Sequence, residues 1–118
     1  MQALLVALGG AVGAVLRYGT GLALPPRSAD VFPWATLAVN LVGSLAIGLL
    51  APLLARNDAL RLLVVTGVLG GFTTFSAFSL DTLALIQAGR TGAALAYVAV
   101  STVGGLALCA LGWNLSVA

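Results

Sequence analysis

Long apolar runs dictate what this chain can fold into. Charges and prolines divide it into four blocks, at about residues 3–24, 31–55, 62–88 and 91–116. Each meets the length of about 20 residues that a helix needs to cross a bilayer. The first block contains Arg17, the third contains Asp81, and the second and fourth contain no charge. Between them lie PPRSAD, RNDALR and QAGR, which hold all of the remaining charges. Only 7% of the 118 residues are charged, against about 25% in soluble domains, so lipid must replace water over most of the surface. The expected fold is an all-α membrane protein: one domain over residues 1–118 with four transmembrane helices. The first block is read as a spanning helix, because Met1-Gln2 lacks the basic start of a signal peptide.

The residue types that are missing exclude whole classes of function. The charges are five arginines and three aspartates, with no lysine, glutamate or histidine. Nucleic-acid binding needs a basic patch or stripe, and five scattered arginines do not make one. Without histidine no His-based zinc or haem site and no Ser/His/Asp triad is possible. Cys109 is alone, so there is no intrachain disulfide and no cysteine cluster, and in an apolar helix it reads as a small packing residue. The chain is not expected to be an enzyme.

Small residues recur at four-residue spacing, as Gly9 and Gly13, Ser44 and Gly48, Gly67 and Gly71, Ser101 and Gly105. Such pairs let helix backbones approach closely in lipid. Four helices of this length form a thin bundle with little interior, so a pore or site of any size requires more than one chain. The arginines point the same way. Arg56 and Arg61 fall on one side of the membrane, Arg27 and Arg90 on the other, and Arg17 near the second side. Orientation follows this bias, and here it nearly vanishes, which fits insertion in both orientations with antiparallel pairing; a single orientation set by other features is the other reading.

One segment breaks the apolar rule. GGFTTFSAFS, residues 70–79, puts two glycines and two threonines near the middle of the third block. Glycine costs about 1 kcal/mol relative to alanine inside a helix, and β-branched threonine adds a smaller cost. A helix broken there would aim carbonyls at the bilayer centre, where such ends coordinate cations. The residues alone leave open an unbroken helix whose glycines serve close packing. Beyond this point Phe75 and Phe78 share a helix face, flanked by Ser76 and Ser79. Ring edges are positive and hydroxyls donate, so this face suits an anion; ordinary packing is the other reading. Thr36 and Asn40 on the second helix, and Tyr97 and Ser101 on the fourth, add neutral polar groups one turn apart. Each pair reads either as hydrogen bonding between helices or, together with the third helix, as part of one stripe without a carboxylate.

GGAVGAVLRY (9–18), VNLVGS (39–44) and GVLGGFTTFSAFSLD (67–81) resemble the small fluoride channels of the Fluc, or CrcB, family. The resemblance runs through all four helices. It implies a passive fluoride channel in the cell (inner) membrane, built as a dual-topology, antiparallel homodimer with two pores and one structural Na⁺ on the dimer axis. Carried over by motif, the carbonyls of Gly70 and Thr73 from both chains hold that Na⁺. Phe75 and Phe78 face fluoride, with Asn40, Ser76, Thr36, Tyr97 and Ser101 along the pore, and Arg17 marks its vestibule. Ala77 stands where the family commonly has a hydroxyl residue, and Asp81 where glutamate is common.

Two other classes compete with this reading. A coupled exporter of cationic compounds, like the small multidrug transporters, needs a membrane-buried carboxylate. The chain has no glutamate, and Asp81 is the only acid inside a block. A non-conducting assembly subunit fits the composition but leaves the GGFTTFS core unexplained.

Overall fold

A computed structural model of the chain describes residues 1–25 and 31–118. Arg27, which enters the arginine balance, lies outside the described residues. Among the described residues, four helices are long and apolar enough to span a membrane: α1 (Gln2–Ala23), α2 (Trp34–Leu53), α3 (Asp58–Gln87) and α4 (Thr91–Val117). Among the described residues there are no strands.

Local chemistry sets the helix ends. Proline disfavours helical geometry in the residue before it, and α2 starts directly after Pro33 rather than at Val31. Helix α3 takes in part of the charged RNDALR stretch, because the Asn57 side chain accepts from the Leu60 amide at 3.0 Å and caps it. Its far end closes on Gly89 at φ 77°. There Gly89 N donates to Ile86 O at 3.0 Å and Arg90 N to Leu85 O at 2.8 Å. This is the doubled closure that a left-handed residue permits. Two stretches, Arg61–Leu69 in α3 and Val100–Gly104 in α4, wind as π-helix.

The helices associate as two parallel pairs. Helix α1 packs on the first part of α3, and α2 packs on α4. A methyl group added at Gly13 would collide with Val68 O and lie 2.7 Å from Phe72 N; one at Gly71 would lie 2.5 Å from Gly10 O. In the other pair, a methyl at Gly48 would collide with Cys109 O, and one at Gly112 would lie 2.5 Å from Leu45 O. These backbones therefore touch, as small-residue seams allow in lipid. The extents are 48 × 31 × 20 Å. The thin dimension is about two helix diameters, which leaves little interior. Large apolar side chains face outward along every helix, including Leu8, Val42, Leu80 and Leu106. The buried cluster of Leu37, Leu85, Ala94 and Tyr97 lies where α2, the second part of α3 and the start of α4 meet.

Candidate functional site

Midway along α3 two residues leave helical geometry. Thr73 has φ −82° and ψ 156°, and Thr74 has φ −151° and ψ 121°. Helical winding ends at Phe72 and resumes at Phe75. The residues that follow favour a restart: Thr74 Oγ1 accepts from Ala77 N at 3.1 Å, an N-cap on Phe75–Gln87.

Two side chains from other helices take up backbone groups that this change releases. In a continuous helix the Thr74 N–H would bond Gly70 O. Here it donates to Asn40 Oδ1 at 2.8 Å, while Asn40 Nδ2 donates back to Thr74 O at 3.0 Å. The carbonyl of Gly71, which would have served Phe75, accepts from Arg17 Nε at 3.2 Å. Helix α2 can come this near because residue 43 is glycine; a methyl there would collide with Thr73 Cγ2. Gly70 O is left without its helical donor, and Thr73 O lies outside the helical ladder.

Beyond the interruption the rings of Phe75 and Phe78 lie 5.7 Å apart, tilted by 38°. Phe75 is 79% exposed, whereas Phe78 leans on Tyr97 at 5.2 Å. A groove of about 750 Å³ runs past Asn40, Gly70, Thr73, Phe75, Phe78 and Ser101. A second cavity, of about 530 Å³, is lined by Arg17, Thr36, Thr74 and Ala77 among others. Among the described residues no carboxylate lines either one, and Arg17 is the only charged residue in them.

The stripe read from the sequence is therefore divided. Asn40, Phe75, Phe78 and Ser101 share the groove, but Thr36 faces the cavity that contains Arg17. Tyr97 is fully buried and lines neither; its hydroxyl donates to Asp81 Oδ2 at 3.3 Å. Ser76 also lines neither, and its Oγ lies 3.3 Å from Thr74 Oγ1. Ser101 Oγ is buried without a hydrogen-bond partner. The groove also has hydroxyls that the sequence reading passed over, on Ser44, Thr66 and Thr102. Thr66 could have been found by its position one helical turn before Gly70. The Thr74 cap could have been read from a threonine standing directly before a helical run.

A profile of the family described as CrcB-like protein, Camphor Resistance (CrcB), matches residues 4–113. The chain is 52% identical over 115 residues to the "Fluoride-specific ion channel FluC" of Rhizobium johnstonii, covering 94% of this chain and 90% of that protein. A protein of the same name from Novosphingobium aromaticivorans is 51% identical over 116 residues, covering 93% and 91%. One from Rhizobium meliloti is 48% identical over 112 residues, covering 92% and 88%.

Proposed function

Because this chain belongs to the CrcB family, we propose that it is a fluoride-selective passive channel that exports fluoride from the cytoplasm. It is a multi-pass cell-membrane protein and not an enzyme. The observation that carries the reading is the pairing of the Thr73–Thr74 interruption with the Phe75–Phe78 rings in a groove that no carboxylate lines among the described residues. A small, strongly hydrated anion must lose water to enter lipid and must leave again. Ring edges and neutral donors supply many weak contacts, which lets an ion bind without being trapped. On this reading Phe75 and Phe78 meet the ion, Ser101 and Asn40 line its path, and Arg17 collects anions at a vestibule beside Thr36. Ser76, one residue past Phe75, and Tyr97, tilted against Phe78, lie close behind the rings.

The working unit in this proposal is an antiparallel homodimer. The 20 Å thickness of the chain, the open groove and the nearly even arginine count support it. So does the outward-facing Phe75, which a second copy would cover. The proposal includes one structural Na⁺ on the dimer axis, held by the carbonyls of Gly70 and Thr73 from both chains. The residues fit such an ion: Gly70 O has lost its Thr74 donor to Asn40, and Thr73 O belongs to unwound backbone. Neutral carbonyls at an unwound point suit Na⁺. When bound, it supplies the partner these oxygens would otherwise lack in lipid, where each unsatisfied group costs several kcal/mol.

The multidrug-exporter alternative lacks support, since its only candidate carboxylate, Asp81, is engaged by Tyr97. Currents across a planar bilayer with opposed fluoride and chloride gradients test the proposal. The reversal potential is expected to follow the fluoride gradient; a potential set by chloride or by protons contradicts it.

A further inference from the structure

We propose that Asn40 is a positioning residue, setting the Phe75–Phe78 pair through Thr74 rather than serving first as a contact for the ion; this rests on the channel reading above. An asparagine amide offers one oxygen and one NH₂ group. Here both ends of the amide are committed to one residue, Oδ1 to Thr74 N at 2.8 Å and Nδ2 to Thr74 O at 3.0 Å. A paired contact of this kind fixes the amide plane, so the group cannot swing to follow a passing ion. Thr74 is in turn the N-cap of Phe75–Gln87, its Oγ1 accepting from Ala77 N at 3.1 Å. All three polar groups of Thr74 are thereby held, two of them from α2. The residue after it is Phe75, and Phe78 follows one turn later, so the direction in which both rings leave the interruption is set at Thr74. Helix α2 is itself firmly seated here. Val39 beside Asn40 is only 2% exposed, and Gly43 lies against Thr73 and Phe72.

The test is a double-mutant cycle in the full-length protein in liposomes. Asn40→Ala removes the amide, and an ester in place of the Thr74 peptide N–H removes its partner without touching Asn40. Three readouts are taken: fluoride flux, deuterium exchange at the Thr74 amide, and the ¹⁹F signal of 4-fluorophenylalanine at position 75. Asn40→Ala is expected to speed Thr74 exchange by about tenfold, as for loss of one hydrogen bond of ordinary strength. Each change alone is expected to move the ¹⁹F signal the same way and to cut flux. The two together are expected to cut flux no further than the worse one, because interacting groups are non-additive. Should Asn40→Ala fail to assemble, Asn40→Asp serves in its place for exchange, since it keeps an acceptor for the Thr74 N–H. Exchange within about threefold of the parent is then expected. Multiplying flux losses, an unmoved ¹⁹F signal or unchanged Thr74 exchange in Asn40→Ala would overturn the proposal. Absence of fluoride flux in the parent protein would instead defeat the channel reading, while the exchange measurement still judges the clamp.

Discussion

Arg17 Nε donates to the carbonyl of Gly71 at 3.2 Å, tying α1 to the last turn of α3 before the interruption. Among the described residues the same arginine is the only charge lining either cavity. The channel proposal gives it a second task beside holding one end of the interruption, which is to attract anions. Arg17→Ala is expected to raise the fluoride concentration for half-maximal flux by about tenfold, and Arg17→Lys to recover only part of it. Lysine keeps the charge but lacks the planar fork. Unchanged affinity and flux in Arg17→Ala would show that the arginine is outside the path.

The phenylalanine pair separates conduction from folding. Phe75→Ile and Phe78→Ile keep bulk and apolarity but remove the ring edge. Both are expected to assemble as dimers and lose most fluoride flux. Phe78 also packs on Tyr97, so its variant should lose somewhat more stability than that of the exposed Phe75, within the roughly 1.5 kcal/mol typical of volume-conserving swaps. Phe72→Ile, whose ring lies beside Gly43 of α2, is expected to be milder on flux. Normal flux in both Phe75→Ile and Phe78→Ile would make the rings packing residues.

How far such residues can be recognised from sequence differs by level. Four spanning helices were legible, because each apolar run has bilayer length and all charges but Arg17 and Asp81 fall between runs. Gly70-Gly71 before Thr73-Thr74, each a poor helix former, drew attention to the stretch where Thr73 and Thr74 leave helical geometry, but the residues alone left an unbroken helix equally open. The partition of the polar stripe was not legible. Thr36 and Asn40 sit one turn apart, but α-helical positions four apart differ by about 40°. In this packing that places them in different cavities, with Thr74 lining both. The Asn40–Thr74 contact spans 34 residues, and no local spacing rule reports a pairing that depends on how α2 meets α3. Nor did spacing reveal that Tyr97 would be sealed against Asp81 while Ser101, one turn on, stayed at the groove.

Two serines with buried hydroxyls make a matched control. Ser101 Oγ and Ser116 Oγ are both buried without hydrogen-bond partners, but only Ser101 lines the groove. Replacing either with alanine removes an unsatisfied hydroxyl and is expected to leave stability unchanged or raise it by up to about 1 kcal/mol. Flux is expected to fall in Ser101→Ala and to stay at the parent level in Ser116→Ala. Equal flux in the two variants would remove Ser101 from the path.

The α1–α3 seam predicts a sharp positional contrast. At Gly13 an added methyl would meet the α3 backbone, whereas at Gly10 it meets nothing within 4 Å. Gly13→Ala is expected to cost about 1–3 kcal/mol, as overpacking does, and Gly10→Ala less than about 0.5 kcal/mol. Thermal unfolding in detergent, followed by loss of the assembled species, checks this. Equal melting temperatures would mean that the two backbones do not approach as described.

The antiparallel dimer has its own check. A tag carrying a reactive cysteine at the C-terminus is expected to be labelled from both faces of the membrane in intact cells, in comparable amounts. Labelling from one face alone would rule out dual topology. An experimental density map of the dimer that shows continuous helix through residues 70–74 and nothing on the axis would rule out the Na⁺ site.

Efflux from liposomes that contain only the purified protein tests the central claim most directly. Vesicles are loaded with equal fluoride and chloride, charge balance is provided by a potassium ionophore, and both anions are followed by electrode with no proton gradient applied. Rapid loss of fluoride, with chloride retained at the level of protein-free vesicles, is the result expected of a passive fluoride-selective channel. Fluoride retention, equal loss of the two anions, or fluoride loss that appears only when a proton gradient is imposed would contradict it.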